Sequence, residues 1–249
     1  MVQCITVWSE RGDTMLCKVA DLLVEVPATG NMPQRCEKYL YTGEDQPDIV
    51  IDAAEYDPNR WPGMQSDDLA YMESGSFFFL KLLQFNGMML HSSAVEYEGK
   101  AYLFSGRPGM GKSTHTRIWQ QVFGEKAQVF NDDKPPLRCI DGVWYAFGAP
   151  WCGKDGINQN KKVPLAGICF LQQAKENKIR RLSRQEAISR IFSQTLYRFK
   201  KTENLDLMLQ IVDRLVRQIP VFELENLPEP AAAILSYETM CRAAQEEVK

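Results

Sequence analysis

Gly106-Arg107-Pro108-Gly109-Met110-Gly111-Lys112-Ser113 fits the pattern G-x-x-x-x-G-K-[ST] in full, and Thr114 follows it. Each residue type there has a chemical purpose. The glycines let the backbone fold tightly and aim its N–H groups inward at an anion. A lysine after the last glycine reaches the β- and γ-phosphates of a nucleotide, and the next hydroxyl ligates Mg²⁺. Residues 106–114 are therefore the candidate nucleotide-binding segment, with Lys112 and Ser113 as the phosphate and metal contacts. Downstream, Asn131-Asp132-Asp133 closes a short apolar run. Phosphoryl transfer needs a carboxylate to hold Mg²⁺ and a group to take the proton of the attacking hydroxyl. Two adjacent carboxylates can divide those tasks, provided a cation or hydrogen bonds offset their like charges. The competing readings are a glycine-rich turn without a ligand and a solvated Asp-Asp turn.

These residues need elements to position them. Ala101–Phe104 is apolar and β-prone, and Thr114–Phe123 reads as a helix with Ile118, Trp119 and Val122 on one face. Strand, loop and helix in that order point a helix N-terminus at an anion. Ala127–Asn131 reads as a buried strand that carries the Asp pair at its C-terminal end. Met88–Tyr97 is β-prone as well, and Glu98-Gly99-Lys100 turns it into the strand before the loop. The loop is thus fed by a β-hairpin, whereas most phosphate-loop proteins reach it from a buried parallel strand. Strands are expected at Met88–Tyr97, Ala101–Ser105, Ala127–Asn131 and Ala166–Leu171 in a mixed sheet.

The hairpin with His91, the loop Gly106–Ser113 and Asn131-Asp132-Asp133 together resemble the catalytic domain of HPr serine kinase/phosphorylase, whose fold is related to ATP-dependent phosphoenolpyruvate carboxykinase. The resemblance runs from about Gly87 to Leu182. Gly148–Lys154, Val163-Pro164-Leu165 and the strand Ala166–Leu171 are similar to the shorter HPr-kinase-like proteins, some of which resemble enzymes that phosphorylate a serine of a small modified peptide. The resemblance implies an α/β fold: a P-loop-containing mixed sheet of the HPr-kinase/phosphoenolpyruvate carboxykinase type, with an N-terminal β-rich subdomain and C-terminal helices. It also implies ATP and Mg²⁺ as cofactors. Lys112 and Ser113 would hold phosphates and metal, His91 would lie near the transferred phosphate, and Asp132 and Asp133 would supply base and Mg²⁺ contact in that order or the reverse. Pro108 departs from the small hydroxyl residue usual at its place, and Met1–Phe85 does not resemble the regulatory domain of the bacterial enzyme.

The remaining sequence sets bounds. The chain has 249 residues, enough for one large domain or two modest ones, and 24% are charged, as in an ordinary globular protein. A net charge of −3 gives no basic surface for nucleic acid or an anionic membrane. Seven scattered cysteines and two histidines disfavour a disulfide framework and a zinc site. No leader pattern opens the chain, and the apolar run Phe77–Leu83 is interrupted by Lys81, so the expected location is cytoplasmic with no membrane partner. Homo-oligomerisation is left open.

Residues 1–85 are expected to form a small β-rich subdomain plus a helix, from the runs Cys4–Trp8, Leu16–Ala20, Leu22–Val26 and Ile49–Ile51 and a helix from Ser66-Asp67-Asp68 to Phe85. Residues 86–249 are the expected catalytic domain. Ser183-Arg184-Gln185-Glu186 is a capping-box pattern that opens a helix to about Phe199, and Thr202–Arg217 reads as another. Val221–Leu224 is a short strand, and Pro230 starts the last helix. In the loop Trp151-Cys152-Gly153, the next residue, Lys154, is a cation that either contacts a phosphate or substrate or is a solvated loop lysine. The function these residues point to is an ATP-dependent kinase acting on a hydroxyl, such as a serine of a peptide or small protein. The alternatives are a small-molecule kinase or ATPase, and a nucleotide-binding module without catalysis.

The complete loop pattern predicts Mg·ATP binding that depends on Lys112. Titration calorimetry on the wild type and Lys112→Ala should show affinity lost in the variant; equal affinity would leave the motif without its purpose.

Overall fold

A computed structural model of the chain describes residues 7–9, 12–195 and 202–246. The first sheet has the order β1 (Val7–Ser9), β2 (Gly12–Val19), β3 (Leu22–Pro27) and β4 (Ile49–Val50). The expected runs lie on these strands, but β2 starts at Gly12, well before Leu16, and stops at Val19 because Ala20 takes φ 55° in the turn to β3; residues 4–6 of the first expected run lie outside the described residues. A short helix not anticipated from the sequence, α1 (Met32–Cys36), follows β3. The long helix α2 (Ser66–Leu82) starts one residue after Gln65, which gives no side-chain cap, so Ser66 and the two aspartates act within the first turn rather than before it. Asn86 stops the segment in the left-handed region, at φ 54°.

The second sheet is mixed. Its path runs β5 (Gly87–Met89), β9 (Pro136–Ile140), β10 (Val143–Phe147), β11 (Lys162–Gln173), β7 (Lys100–Ser105), β6 (Ser92–Tyr97) and β8 (Ala127–Asn131). β13 (Val221–Asn226) pairs with the far half of β11, and β12 (Lys178–Arg181) pairs with β13. β7 and β13 run parallel to β11, while β6 is antiparallel to both β7 and β8.

Met88–Tyr97 is not one strand. Gly87–Met89 pairs with β9, whereas Ser92–Tyr97 pairs with β7 and β8. The chain crosses from one partner set to the other at Leu90-His91, where the His91 N–H donates to the Gln194 carbonyl at 3.0 Å instead of to a ladder. The turn Glu98-Gly99 carries φ of 51° and 74°, the two positive values of a tight hairpin whose twist matches its strands. The β9–β10 hairpin escaped the sequence reading, although Asp141-Gly142 at φ 49° and 81° is the same kind of turn. β11 extends well beyond Ala166–Leu171 because different stretches of it serve three partners: Lys162–Pro164 pairs with β10, Leu165–Phe170 with β7, and Ile168–Gln173 with β13.

Strand alternation builds two cores. Along β7, Ala101 and Leu103 join the cluster containing Ala187 and Ile191 of α4 (Arg184–Ser193) and Met208 and Val212 of α5 (Thr202–Gln218). Tyr102 and Phe104 point the other way, into the cluster with Trp119 of α3 (Lys112–Phe123) and Met240 of α6 (Pro230–Glu246). A strand buried on both faces reads as a continuous apolar run. Ser183 forms the capping box with Glu186 as expected, but α4 ends at Ser193, and the last part of the helix expected to Phe199, residues 196–199, lies outside the described residues. The third core joins the first sheet to the second. Val19, Val24 and Tyr39 share it with Phe78 and Phe79 of α2 and with Met89, Phe147 and Trp151. Among the described residues no helix is long and apolar enough to cross a membrane.

His115 faces the core around Phe104 and Trp119 rather than the glycine loop. Its ring lies 4.5 Å from Phe104, and Nε2 lies 3.1 Å from Ser236 Oγ. The Ser236 hydroxyl donates to Ala233 O and accepts from Trp119 Nε1, so Nε2 of His115 is the donor and Nδ1 is left without a partner. A proton on Nδ1 would bury an unpaired charge, and burial pushes the imidazole from 6.5 down to about 4. In that interval the unfolded chain binds the proton and the folded one does not. Stability should therefore fall as pH drops from 6.5 to 4, by on the order of 3 kcal/mol. Denaturant unfolding of the wild type and His115→Gln across this range should show the slope in the wild type and a flatter profile in the variant.

Candidate functional site

Because β6 is antiparallel to its neighbours, its start lies level with the ends of β7 and β8. Ser92 pairs with Ser105, and Ala94 with Asn131. That register gathers at one sheet end the glycine loop after β7, the Asp pair after β8 and His91 before β6. The Ser105 hydroxyl donates to His91 O at 2.8 Å, and the Ser92 N–H donates to Asp133 O at 3.0 Å, so the three segments are laced together.

The glycine loop turns on the bond from the Met110 N–H to Arg107 O, at 3.1 Å, with Arg107, Pro108 and Gly109 exposed. Gly111, at φ 88°, caps α3, a conformation that an L-residue with a Cβ adopts only under strain. The Lys112 ammonium curls back to donate to Gly106 O at 3.2 Å. Burial lowers the Lys112 pKa, and the charges of Asp133 and Asp132 oppose that shift. Thr114 is exposed on the first turn of α3. The Ser113 hydroxyl donates to Asp132 Oδ2 at 2.8 Å, joining loop and Asp pair directly.

Asp132 and Asp133 are adjacent in sequence but face different neighbours. Asp132 is buried, with its N–H bonded to Ile157 O at 3.0 Å, and looks to Ser113. Asp133 sits at φ 82°, which rotates its carboxylate away. His91 Nε2 lies 3.0 Å from Oδ1 and Lys134 Nζ 3.0 Å from Oδ2. Burial would raise the Asp133 pKa, but the His91 hydrogen bond and the Lys134 charge overcome it and hold the carboxyl at about 2. Lys134 is likewise pulled down by burial and held above its ordinary value by Tyr71 and Asp133.

The sequence reading did not single out Tyr71, Lys134 or Arg35. Tyr71, on α2, accepts hydrogen bonds at its phenol oxygen from Lys134 Nζ at 3.4 Å and from the Gly153 N–H at 3.1 Å. Arg35 of α1 lies 4.3 Å over the Tyr71 ring and donates to Gly153 O at 3.3 Å. Gly153, at φ 76°, packs so closely that a Cβ there would come within 2.9 Å of Asp133 Cβ. Lys134 carried one signal, its place beside the Asp pair; Tyr71 and Arg35 arrive from distant sequence and carried none. Lys154 is exposed and forms no ion pair among the described residues, while Asp155 beside it pairs with Arg117 of α3 at 2.6 Å. Among the described residues no three His, Cys, Asp or Glu side chains group as a metal site. The Ser113 and Asp132 oxygens offer two hard donors, a set that suits a cation which keeps most of its water.

Fold and site describe an α/β protein with a mixed sheet and a glycine loop, lysine, serine and two aspartates at one sheet end. The chain belongs to the family described as "ScmC: SynChlorMet cassette protein ScmC", whose model matches residues 65–227, a span that holds the loop, both aspartates, Tyr71 and Gly153. No curated protein matches the chain. Among solved structures it is similar to the HPr(Ser) kinase/phosphatase from Coxiella burnetii, at 12% identity and a TM-score of 0.36 over 65% of this chain and 92% of that one. A likeness that loose carries neither fold nor activity across.

Tyr71→Phe removes the acceptor of the Gly153 N–H and one acceptor of Lys134. The expected cost is about 1–3 kcal/mol in unfolding free energy, from partly buried donors left short of a partner. Urea unfolding reads it; no change would mean that water replaces the phenol and the loop is held by Arg35.

Proposed function

We propose that the protein is an ATP-dependent kinase that transfers the γ-phosphate to a hydroxyl of a peptide or small protein, with serine as the expected acceptor. The observation that supports this most is the 2.8 Å contact between Ser113 Oγ and Asp132 Oδ2, which joins a full nucleotide-loop pattern to a carboxylate pair 19 residues further on. In this reading residues 106–114 surround the phosphates, and Lys112 swings from Gly106 O to a phosphate oxygen. Ser113 and Asp132 would hold Mg²⁺, which, when bound with the nucleotide, offsets the charge that develops on the transferring phosphoryl group.

Asp133 is then the proton acceptor. Of the two orders that the resemblance allows, this is the second, and the reason is geometric: Asp132 is committed to Ser113, while Asp133 turns toward the side where Tyr71 and Lys134 lie. A carboxylate held at about 2 is ionised at any physiological pH and ready to accept a hydrogen bond from a hydroxyl. His91 fixes one carboxylate oxygen and Lys134 the other. Lys154 belongs to this reading as an exposed cation that a phosphate or substrate would draw in.

Single-turnover transfer from ATP separates the roles. Asp133→Asn should lower transfer by about a hundred- to ten-thousand-fold with ATP affinity kept. Asp132→Asn should weaken Mg²⁺-dependent ATP binding. The opposite pattern would return the base to Asp132. Wild-type transfer by both variants would make the pair a structural turn and end the kinase reading.

A further inference from the structure

A cavity of about 320 Å³ adjoins the Asp133 cluster. Tyr71 and Lys134 belong to both: each lines the cavity, and each is bonded to the other beside the Asp133 carboxylate. The remaining lining is largely apolar and aromatic, with Trp61, Met72, Phe79 and Trp151 as its main side chains. The wall is built rather than accidental. Buried Glu73 on α2 accepts from Trp61 Nε1 at 2.6 Å and lies 3.6 Å from Arg60, pinning the turn before α2 in place. Trp151 is stacked on Phe78 at 4.5 Å and donates to Ser74 Oγ at 3.1 Å.

Size and charge choose the occupant. An engineered apolar cavity of about 150 Å³ accepts benzene, so about 320 Å³ takes a phenyl or indole group with the backbone next to it. The cations on the lining, Arg60 and Lys134, already have Glu73 and Asp133 as partners. Paired in this way they leave the lining without a free charge of either sign, which favours a neutral guest. We propose that this cavity is the acceptor-recognition site and takes a neutral aromatic side chain adjacent to the hydroxyl that is phosphorylated. The proposal rests on the kinase reading above and names its substrate class: a peptide in which an aromatic residue flanks the acceptor serine. With the ring seated between Trp61, Phe79 and Trp151, the neighbouring hydroxyl lies toward Lys134 and the Asp133 carboxylate.

The test uses the full chain with Mg·ATP and capped pentapeptides with a central serine flanked by Phe or by Ala. Transfer is measured with labelled ATP, and peptide binding by the fluorescence of the tryptophans. Burying one aromatic side chain should favour the Phe peptides by about tenfold or more in both readouts. Ser76→Leu fills the cavity from α2, where the Ser76 hydroxyl donates to Met72 O of its own helix, at 2.7 Å. It should reduce the preference for Phe over Ala peptides below about threefold. Met72→Ala widens the cavity and should shift the preference from Phe to Trp. Equal use of Phe and Ala peptides, or a Phe preference untouched by Ser76→Leu, overturns the proposal and leaves the kinase reading standing. If no peptide is phosphorylated, the peptide-kinase reading fails, and binding still decides the cavity: Phe-selective binding lost in Ser76→Leu keeps it as an aromatic side-chain site, and unselective binding removes it.

Discussion

With β6 antiparallel to both β7 and β8, the start of one strand and the ends of two others meet at the same sheet end, and that register brings His91, the glycine loop and the Asp pair together. Had β6 run parallel, His91 would lie at the opposite end, far from Asp133. The interposed strand also sets the spacing between the glycine loop and the Asp pair. The tight Glu98-Gly99 turn makes this arrangement local in sequence, since the turn geometry fixes the β6–β7 register.

The like charges of Asp132 and Asp133 are managed by separation. A left-handed backbone at Asp133 turns the second carboxylate to His91 and Lys134, while the first keeps Ser113. Strain of this kind persists where surrounding structure over-determines it. Here the Asp133 carbonyl is held by the Ser92 N–H, the side chain is held by two cationic or donor partners, and Gly153 closes over Cβ.

The first eighty-odd residues take part in the same environment. α2 brings Tyr71 and Glu73, and α1 brings Arg35, so the loop 150–153 is clasped from a segment that carries no motif. The core shared by Val19, Phe78, Met89 and Trp151 makes that clasp rigid. A ring at Tyr71, between the Arg35 and Lys134 cations, couples the aromatic cavity to the carboxylate cluster.

Short-range signals were legible in the sequence. The glycine loop, its strand and helix, the β6–β7 turn and the capping box at Ser183 follow from residue types at fixed local spacing, and the structure shows each of those elements. The sequence also marked a mixed sheet, because a hairpin feeds the loop. It left Met88–Tyr97 as one strand, since apolar content cannot show that two halves pair with different partners. It passed over β9 and β10, and it left open which aspartate does what, because adjacent side chains are distinguished by a backbone dihedral and by distant neighbours. Tyr71, Arg35 and the aromatic cavity were decided by tertiary structure alone. They join the site through packing of α1 and α2 against loop 150–153, and contacts between residues so far apart leave no periodicity to read.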